Sequence, residues 1–482
     1  MPMDNQLRRA RSAMAVMFTL ALLPMGTPRT WGQNVPHFTS PAVARAWGEA
    51  HERAGQYQAA GLAYLQEAEA YQKRGDPQGA EAERRRARRL LTDLALAVSV
   101  PVPASSHLAR LEPRAGCRLG ALDQTADGHL GNVDNLSRRL GRSLGVAFNY
   151  ARYGEPFPME WARAQGRRGR LVQIAWEPQG GLDQVRDNAY LSQWARDAGQ
   201  CGTGVFLRFA GEMNGGWTRW GRSPSAYKRA FRLVHSVMAR ETSNVALVWA
   251  PNAVPASGVD AYYPGDDAVD WVGLSLYLVR FYDDNLKRPA WRDAPEAFLD
   301  PFYARYAARK PLCLVECGIS RRSRVEGADA DPFASARIGD LFDALRVRYP
   351  RLKMVCWFDR DNLTGAVPAR RLNDYSLPAG SLALSAFQSA TADPYFLGSV
   401  GESAPLAYAR VAGRLPVHYN GPLLFSLSSY ALDSAITVGQ SGRQTRLTRP
   451  FHYFVSPGHG PLRVRVVDKA GRIAASLSLA AP

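Results

Sequence analysis

Residues 205–221 read VFLRFAGEMNGGWTRWG, a short apolar run that ends in a glutamate, an asparagine, two glycines and two tryptophans. A buried strand followed by polar groups and flat aromatics has the composition of a sugar-cleaving site. The carboxyl of Glu212 can donate a proton, and the amide of Asn214 can hold a hydroxyl. Tryptophan faces stack on the C–H side of a pyranose and leave its hydroxyls free to hydrogen-bond. Strand alternation places Arg208, Ala210 and Glu212 on one face. A surface-loop glutamate after an ordinary strand fits this stretch equally well, so its neighbours decide.

On both sides the pattern repeats. Apolar runs recur at Arg118–Leu122, Ser143–Asn149, Leu171–Trp176, Gly204–Phe209, Val245–Trp249, Trp271–Tyr277, Pro311–Val315 and Met354–Phe358. Helical patterns fall between most of them, at Val133–Leu140, Leu182–Ala198, Pro224–Glu241, Ala297–Ala308, Ala334–Tyr349 and Ser381–Ala390. Buried strands alternating with helices predict a parallel sheet, and eight such units predict a (β/α)8 barrel within the α/β class. A doubly wound open sheet is the rival, but no glycine-rich phosphate turn follows the first strand. The barrel demands chemistry at the C-terminal strand ends. Those ends carry Asn149, Trp176 with Glu177, Glu212 with Asn214, Trp249 with Asn252, Tyr277, Glu316, and Trp357 with Asp359.

Glu316 closes the run Pro311-Leu-Cys-Leu-Val315, which holds no other charge. A carboxylate there needs partners or a raised pKa; an ion pair with Arg208 is the structural alternative. Alternation predicts Leu312, Leu314 and Glu316 inward and Cys313, Val315 and Cys317 outward. Glu212 ends the fourth strand and Glu316 the seventh, so both can reach one cleft. Two carboxylates about 5 Å apart cleave glycosides with retention, one as nucleophile and one as acid/base.

The segment from about Arg114 to Phe396 resembles glycoside hydrolase family 26. The motifs are RFAGEMNGGWTRWG (208–221), ALVWAPN (246–252), YYPGDDAVDWVGLSLY (262–277), PLCLVECG (311–318), and the distal CWFDRDN, NDYSL and ADPYF. The resemblance implies a retaining barrel enzyme, with Glu212 as acid/base and Glu316 as nucleophile. It implies that Tyr277 hydrogen-bonds the nucleophile and that Arg208 sets the ionisation of the carboxylates. Trp217 and Trp357 would floor sugar subsites, and Asn214 and Trp249 complete the candidate substrate-binding set. Most members carry His before the acid/base, whereas this chain has Gly211. That departure bears on specificity and removes neither carboxylate.

The rest of the 482 residues frames this barrel, expected over 114–398. Arg8, Arg9 and Arg11 precede an apolar run at Ala13–Leu23, which predicts a secretory signal over 1–33 and a secreted or periplasmic protein without stable membrane insertion. Residues 40–99 read as a helical hairpin similar to one tetratricopeptide repeat, a surface for a protein partner, and 100–113 as a linker. Short alternating segments over 405–482 predict a small β-sandwich-like domain. The net charge is +17 and nearly all of it is arginine. Scattered among acids and without a nucleic-acid fold signature, it points away from nucleic acid and leaves acidic polysaccharide open. Five cysteines without a CxxC pair imply neither a metal nor a disulfide framework, and no cofactor is implied.

These features predict a retaining endo-β-glycosidase, with β-1,4-mannan first among substrates. A β-glucan or an exopolysaccharide of the same cell is the alternative within the class. A barrel that binds glycan without cutting it is the alternative outside it.

Overall fold

The computed structural model describes residues 35–53, 57–91, 94–125, 127–288, 290, 293–326 and 330–411, and beyond them the strands between Leu423 and Leu479. The expected signal at 1–33 lies outside the described residues. No described helix is long and apolar enough to cross a membrane.

Eight parallel strands close into a barrel: β1 (Cys117–Leu122), β2 (Val146–Arg152), β3 (Leu171–Glu177), β4 (Val205–Phe209), β5 (Val245–Trp249), β6 (Trp271–Leu278), β7 (Leu312–Ile319) and β8 (Leu352–Trp357). Closure is made by β8 on β1, from Met354 opposite Arg118 to Trp357 opposite Ala121. The fold is therefore the (β/α)8 barrel. A helix the sequence pattern misses is Met159–Arg167, between β2 and β3. It buries only Trp161, Ala162 and Gln165, too short a stripe to stand out. Pro224–Glu241 shows why the others form. Ser223 caps it by accepting from Ala226 N, proline opens it, and Tyr227, Phe231, Val234 and Met238 make one buried face.

Two cores result. Inside the barrel Val146, Phe148, Phe206, Val248, Cys313, Val315, Met354 and Cys356 interlock. Between sheet and helices lie Val205, Leu207, Phe209, Trp249, Leu312, Leu314, Cys317 and Trp357. This assignment reverses part of the expectation for β7: Leu312 and Leu314 face the helices, and Cys313 and Val315 face the interior. Glu316 nevertheless points inward, because the strand is irregular there. Leu274 pairs with Leu314, but the next residue, Ser275, pairs with Glu316. The extra residue is a bulge, which shifts the facing by one. All five cysteines are buried as free thiols.

The flanking segments differ from expectation. Residues 41–91 form three helices, Pro41–Arg53, Tyr57–Lys73 and Pro77–Leu91, rather than a hairpin. Arg45 ties them together through Glu67 (2.8 Å) and Glu83 (2.7 Å), and Arg86 through Glu49 (3.2 Å) and Glu52 (3.0 Å). The helical run ends at Leu91. Leu94–Val102, expected as helix and linker, is a strand held between Ala407–Val411 and Leu423–Ser429. Its apolar, β-branched sequence LALAVSVPV fits that place. Nor is the stretch after it a free linker. Arg110 bonds Val245 O, and its own carbonyl accepts from Trp271 Nε1 at 2.7 Å, so the stretch closes the barrel floor. The C-terminal strands form two antiparallel sheets of four, the first completed by Leu94–Val102.

Candidate active site

The site is built at the top of β4 and β7. Alternation along β4 stops at Phe209. Ala210 (φ 48°) and Glu212 (φ 57°) both take left-handed backbone, which costs a non-glycine residue roughly 1–3 kcal/mol. Neighbouring strands hold them there: Ala210 N donates to Trp176 O at 3.0 Å and Glu212 N to Ala250 O at 2.8 Å. Ala210 thus joins the outer core instead of sharing a face with Arg208, and Glu212 reaches the cleft through the turn.

Arg208 is the hub. One guanidinium nitrogen, Nη1, pairs with Glu316 Oε1; the other, Nη2, lies 3.4 Å from Glu212 Oε1 and donates to Ser275 Oγ at 3.1 Å. A single cation therefore joins the two carboxylates. Burial lowers the arginine's pKa and the Glu316 and Glu212 charges more than reverse this, so it stays charged. Gly211 makes room for it. A Cβ at that position would fall 2.8 Å from Arg208 Nη2 and closer still to Nε.

The two carboxylates have different surroundings. Glu316 is almost buried and accepts from Tyr150 Oη at 2.8 Å on Oε1 and from Tyr277 Oη at 2.6 Å on Oε2, besides Arg208. Burial, reinforced by the Glu316 charge, pushes both phenols well above their usual range, so they remain donors. Three donors thus converge on the Glu316 carboxylate. Glu212 is more open, and accepts from Asn252 Nδ2 at 3.1 Å and Trp217 Nε1 at 2.9 Å. Trp217 keeps 49% of its surface exposed. Gly215 allows it to fold back, since a Cβ there would meet the indole at 2.7 Å or less. A third carboxylate, Glu177, shares this cleft. Burial, with the Glu316 and Glu212 charges, raises it to about 6 against the pull of Arg208.

The cleft has two lobes that meet at Trp217. One, of about 790 Å³, holds Glu212 and Glu316 and is edged by Arg152, Arg219, Arg360 and Arg370. The other, of about 820 Å³, begins at Tyr277 and Asn252.

Residues 179–287, from the loop after β3 to the loop after β6, match the model of glycosyl hydrolase family 26. Over this stretch the barrel is similar to that family. Among curated relatives, Endoglucanase H of Acetivibrio thermocellus is 23% identical over 285 residues, covering 54% of this chain and 28% of the relative. Beta-1,3-xylanase TXYA of a Vibrio species is 36% identical over 96 residues, covering 19% of this chain and 20% of the relative. The chain thus spans about a quarter of the length of the curated relatives it matches. A GH26 beta-mannanase from Bacteroides ovatus superposes with a TM-score of 0.43 at 18% identity, over 64% of this chain and 95% of that one.

Within the barrel, Arg208, Glu212, Trp217, Tyr277 and Glu316 come together around one cleft. Three expected sugar contacts do not. Trp249 and Trp357 are fully buried on the helix side of the sheet. Trp249 packs edge-on against Tyr263 at 4.9 Å, and Trp357 against Phe387 at 5.1 Å while donating to Tyr375 O. Asn214 turns away from the cleft. Its amide donates to Asn252 O and Pro255 O, and its oxygen accepts from Asn252 N, so it shapes the loop that aims Asn252. The sequence reading places Glu177 and Asn252 at strand ends without assigning them a role, and passes over Tyr150 and Ser275. Inward alternation from Phe148 to Tyr150, and from Trp271 through Ser275 to Tyr277, was the available signal.

Proposed function

We propose that the protein is a retaining β-glycosidase that hydrolyses a polysaccharide by double displacement, with Glu316 as nucleophile and Glu212 as acid/base. The observation that carries this reading is the one guanidinium shared by two unequal carboxylates. Glu316, anchored by two tyrosines and Arg208, is the group held in place to attack an anomeric carbon. Glu212, more open and beside an exposed indole, can protonate the departing oxygen and then take a proton from water. Trp217 supplies a face for a sugar next to the bond that breaks. Endo-cleavage of β-1,4-mannan is the first activity to assay, on the family resemblance. A β-glucan and a β-1,3-xylan follow from the relatives' names. The four arginines along the first lobe favour a second reading, an acidic β-linked exopolysaccharide, whose carboxylates they would pair. The N-terminal pattern of arginines and an apolar run supports action outside the cytoplasm.

Azide separates the two roles. On an activated aryl β-glycoside, Glu212→Ala should form the glycosyl-enzyme, stall, and be released by azide as the β-glycosyl azide. Glu316→Ala should form no intermediate and give the α-azide. The same anomer from both variants, or near-normal polysaccharide turnover by either, would sink the assignment. A parent inactive on every β-glycan tried would favour the binding-only barrel.

A further inference from the structure

The second lobe of the cleft is not closed by the barrel alone. Its barrel wall runs from Tyr277 and Asn252 to Ser257, Tyr282 and Arg288, and its other wall is made by Trp47 and His51 of the first N-terminal helix with Pro36 just before it. Trp47 and His51 stand one turn apart on Pro41–Arg53 and stack, with ring centroids 3.4 Å apart and planes 19° apart. His51 Nδ1 is held 2.8 Å from Trp47 O, and Phe38 packs on the indole at 5.4 Å. Arg45 on the same helix is anchored to the second and third helices through Glu67 and Glu83. The two rings therefore form one plate, set by a cross-braced unit, and Trp47 stays partly exposed.

This lobe is continuous with the reacting centre. Trp217 lines both lobes. Tyr277, which bonds Glu316, and Asn252, which bonds Glu212, both line the second. A volume of about 820 Å³ is at the upper end of what small-ligand sites occupy, enough for more than one sugar ring. Its chemistry is that of pyranose recognition: aromatic faces for the C–H side of the ring, and Asn252, Asp283 and Arg288 for hydroxyls.

We propose that the N-terminal helices are part of the substrate site, and that Trp47, backed by His51, is a platform for a pyranose unit of the bound β-glycan, away from the cleaved bond on the Tyr277 side. The inference rests on the glycosidase reading for its substrate class. It gives the three helices a role in chain-length preference. A fragment confined to the reacting centre never reaches Trp47, while a longer chain crosses the second lobe and meets it.

The test uses the full chain and β-linked oligosaccharides of two to eight units. For the parent, kcat/KM should climb as the chain grows long enough to reach the plate. Trp47→Ala should flatten that climb, so that its loss on the longest substrate exceeds its loss on the shortest by about tenfold, carried by KM. Trp47→Tyr keeps an aromatic face and should restore most of the climb. Ser257→Trp narrows the same lobe from the exposed barrel wall and should flatten it even if Trp47→Ala folds poorly. The inference is overturned if Trp47→Ala and Ser257→Trp both lose activity equally at every length. Binding to the Glu316→Ala background by calorimetry keeps the two readings apart. If the parent cuts nothing yet Trp47→Ala still weakens long-chain binding about tenfold, the platform stands and the hydrolase reading falls. If the parent cuts and neither binding nor kinetics changes with length, the platform falls alone.

Discussion

Glu177, at the end of β3, carries a pH signature of its own. It lies in the field of Arg208, Glu316 and Glu212 and accepts from Gln179 Nε2 at 2.6 Å. Its folded pKa is about 6, against 4.5 for an unperturbed glutamate. Between those values the folded chain holds a proton that the unfolded chain has released. Stability therefore falls as pH rises through about 6, and the contribution is fully present only below 4.5. Glu177→Gln removes the titration. The variant should melt above the parent at pH 7.5, and the gap should close by pH 4. Asp293, also raised to about 6 by burial, titrates in both proteins and cancels in the difference. Thermal unfolding at the two pH values is the measurement. A gap of equal size at both would place the effect in packing rather than charge. The same crowding of charge explains Gly211. The guanidinium that tolerates three nearby carboxylates lies where a side chain at 211 would begin.

The elements decide which tryptophans can meet a sugar. Trp217 follows β4 on an exposed turn, while Trp249 and Trp357 end β5 and β8 on the face packed by helices. Trp217→Ala should raise KM, with a loss of about 1–3 kcal/mol in substrate contact and little change in melting. Trp249→Ala and Trp357→Ala should each cost about 3–5 kcal/mol of stability, with KM unchanged in whatever remains folded. Kinetics and thermal unfolding on the three variants check both halves. A kinetic defect in Trp357→Ala without unfolding would return that residue to the cleft. The contrast also shows what sequence can carry. Apolar runs locate all eight strands, because burial on both faces leaves a plain mark. Facing is harder, since a period of two survives only in regular backbone. In β7 a single extra residue reversed Leu312 through Val315 yet left Glu316 inward. After Phe209 two left-handed residues, not alternation, delivered Glu212. Tyr150 and Ser275 needed only the correct inward phase. Asn252 needed the loop pinned by Asn214, a contact across 38 residues that no local pattern contains.

At the scale of the whole molecule, the chain before the barrel is woven into the chain after it. Leu94–Val102 pairs with Ala407–Val411 on one side and Leu423–Ser429 on the other. Ser99 Oγ donates to Val347 O at 2.6 Å, fastening that sheet to the helix Asp331–Val347 of the barrel. The strand is therefore the tether by which the three N-terminal helices are held near the cleft, and the placement of Trp47 depends on it. Residues 103–107 after the strand are exposed, and Arg110 then anchors the chain beneath the barrel. This arrangement predicts the outcome of a nick. With a protease site introduced into 103–107, cleavage should leave the N-terminal fragment bound, because two antiparallel ladders and the Ser99 contact hold it without the peptide bond. The nicked protein should elute as one species and keep its preference for long substrates, and denaturant should separate the pieces. A second break, Val98→Asp, should release the fragment after cleavage, since Val98 is buried and pairs with both Val411 and Phe425. If the nicked parent falls apart under native conditions, the helices hang on a linker and the strand is not their anchor. If it holds and Val98→Asp frees it, the segment before the barrel is a structural part of the molecule, fixed at one end in the C-terminal sheet and facing the substrate cleft at the other.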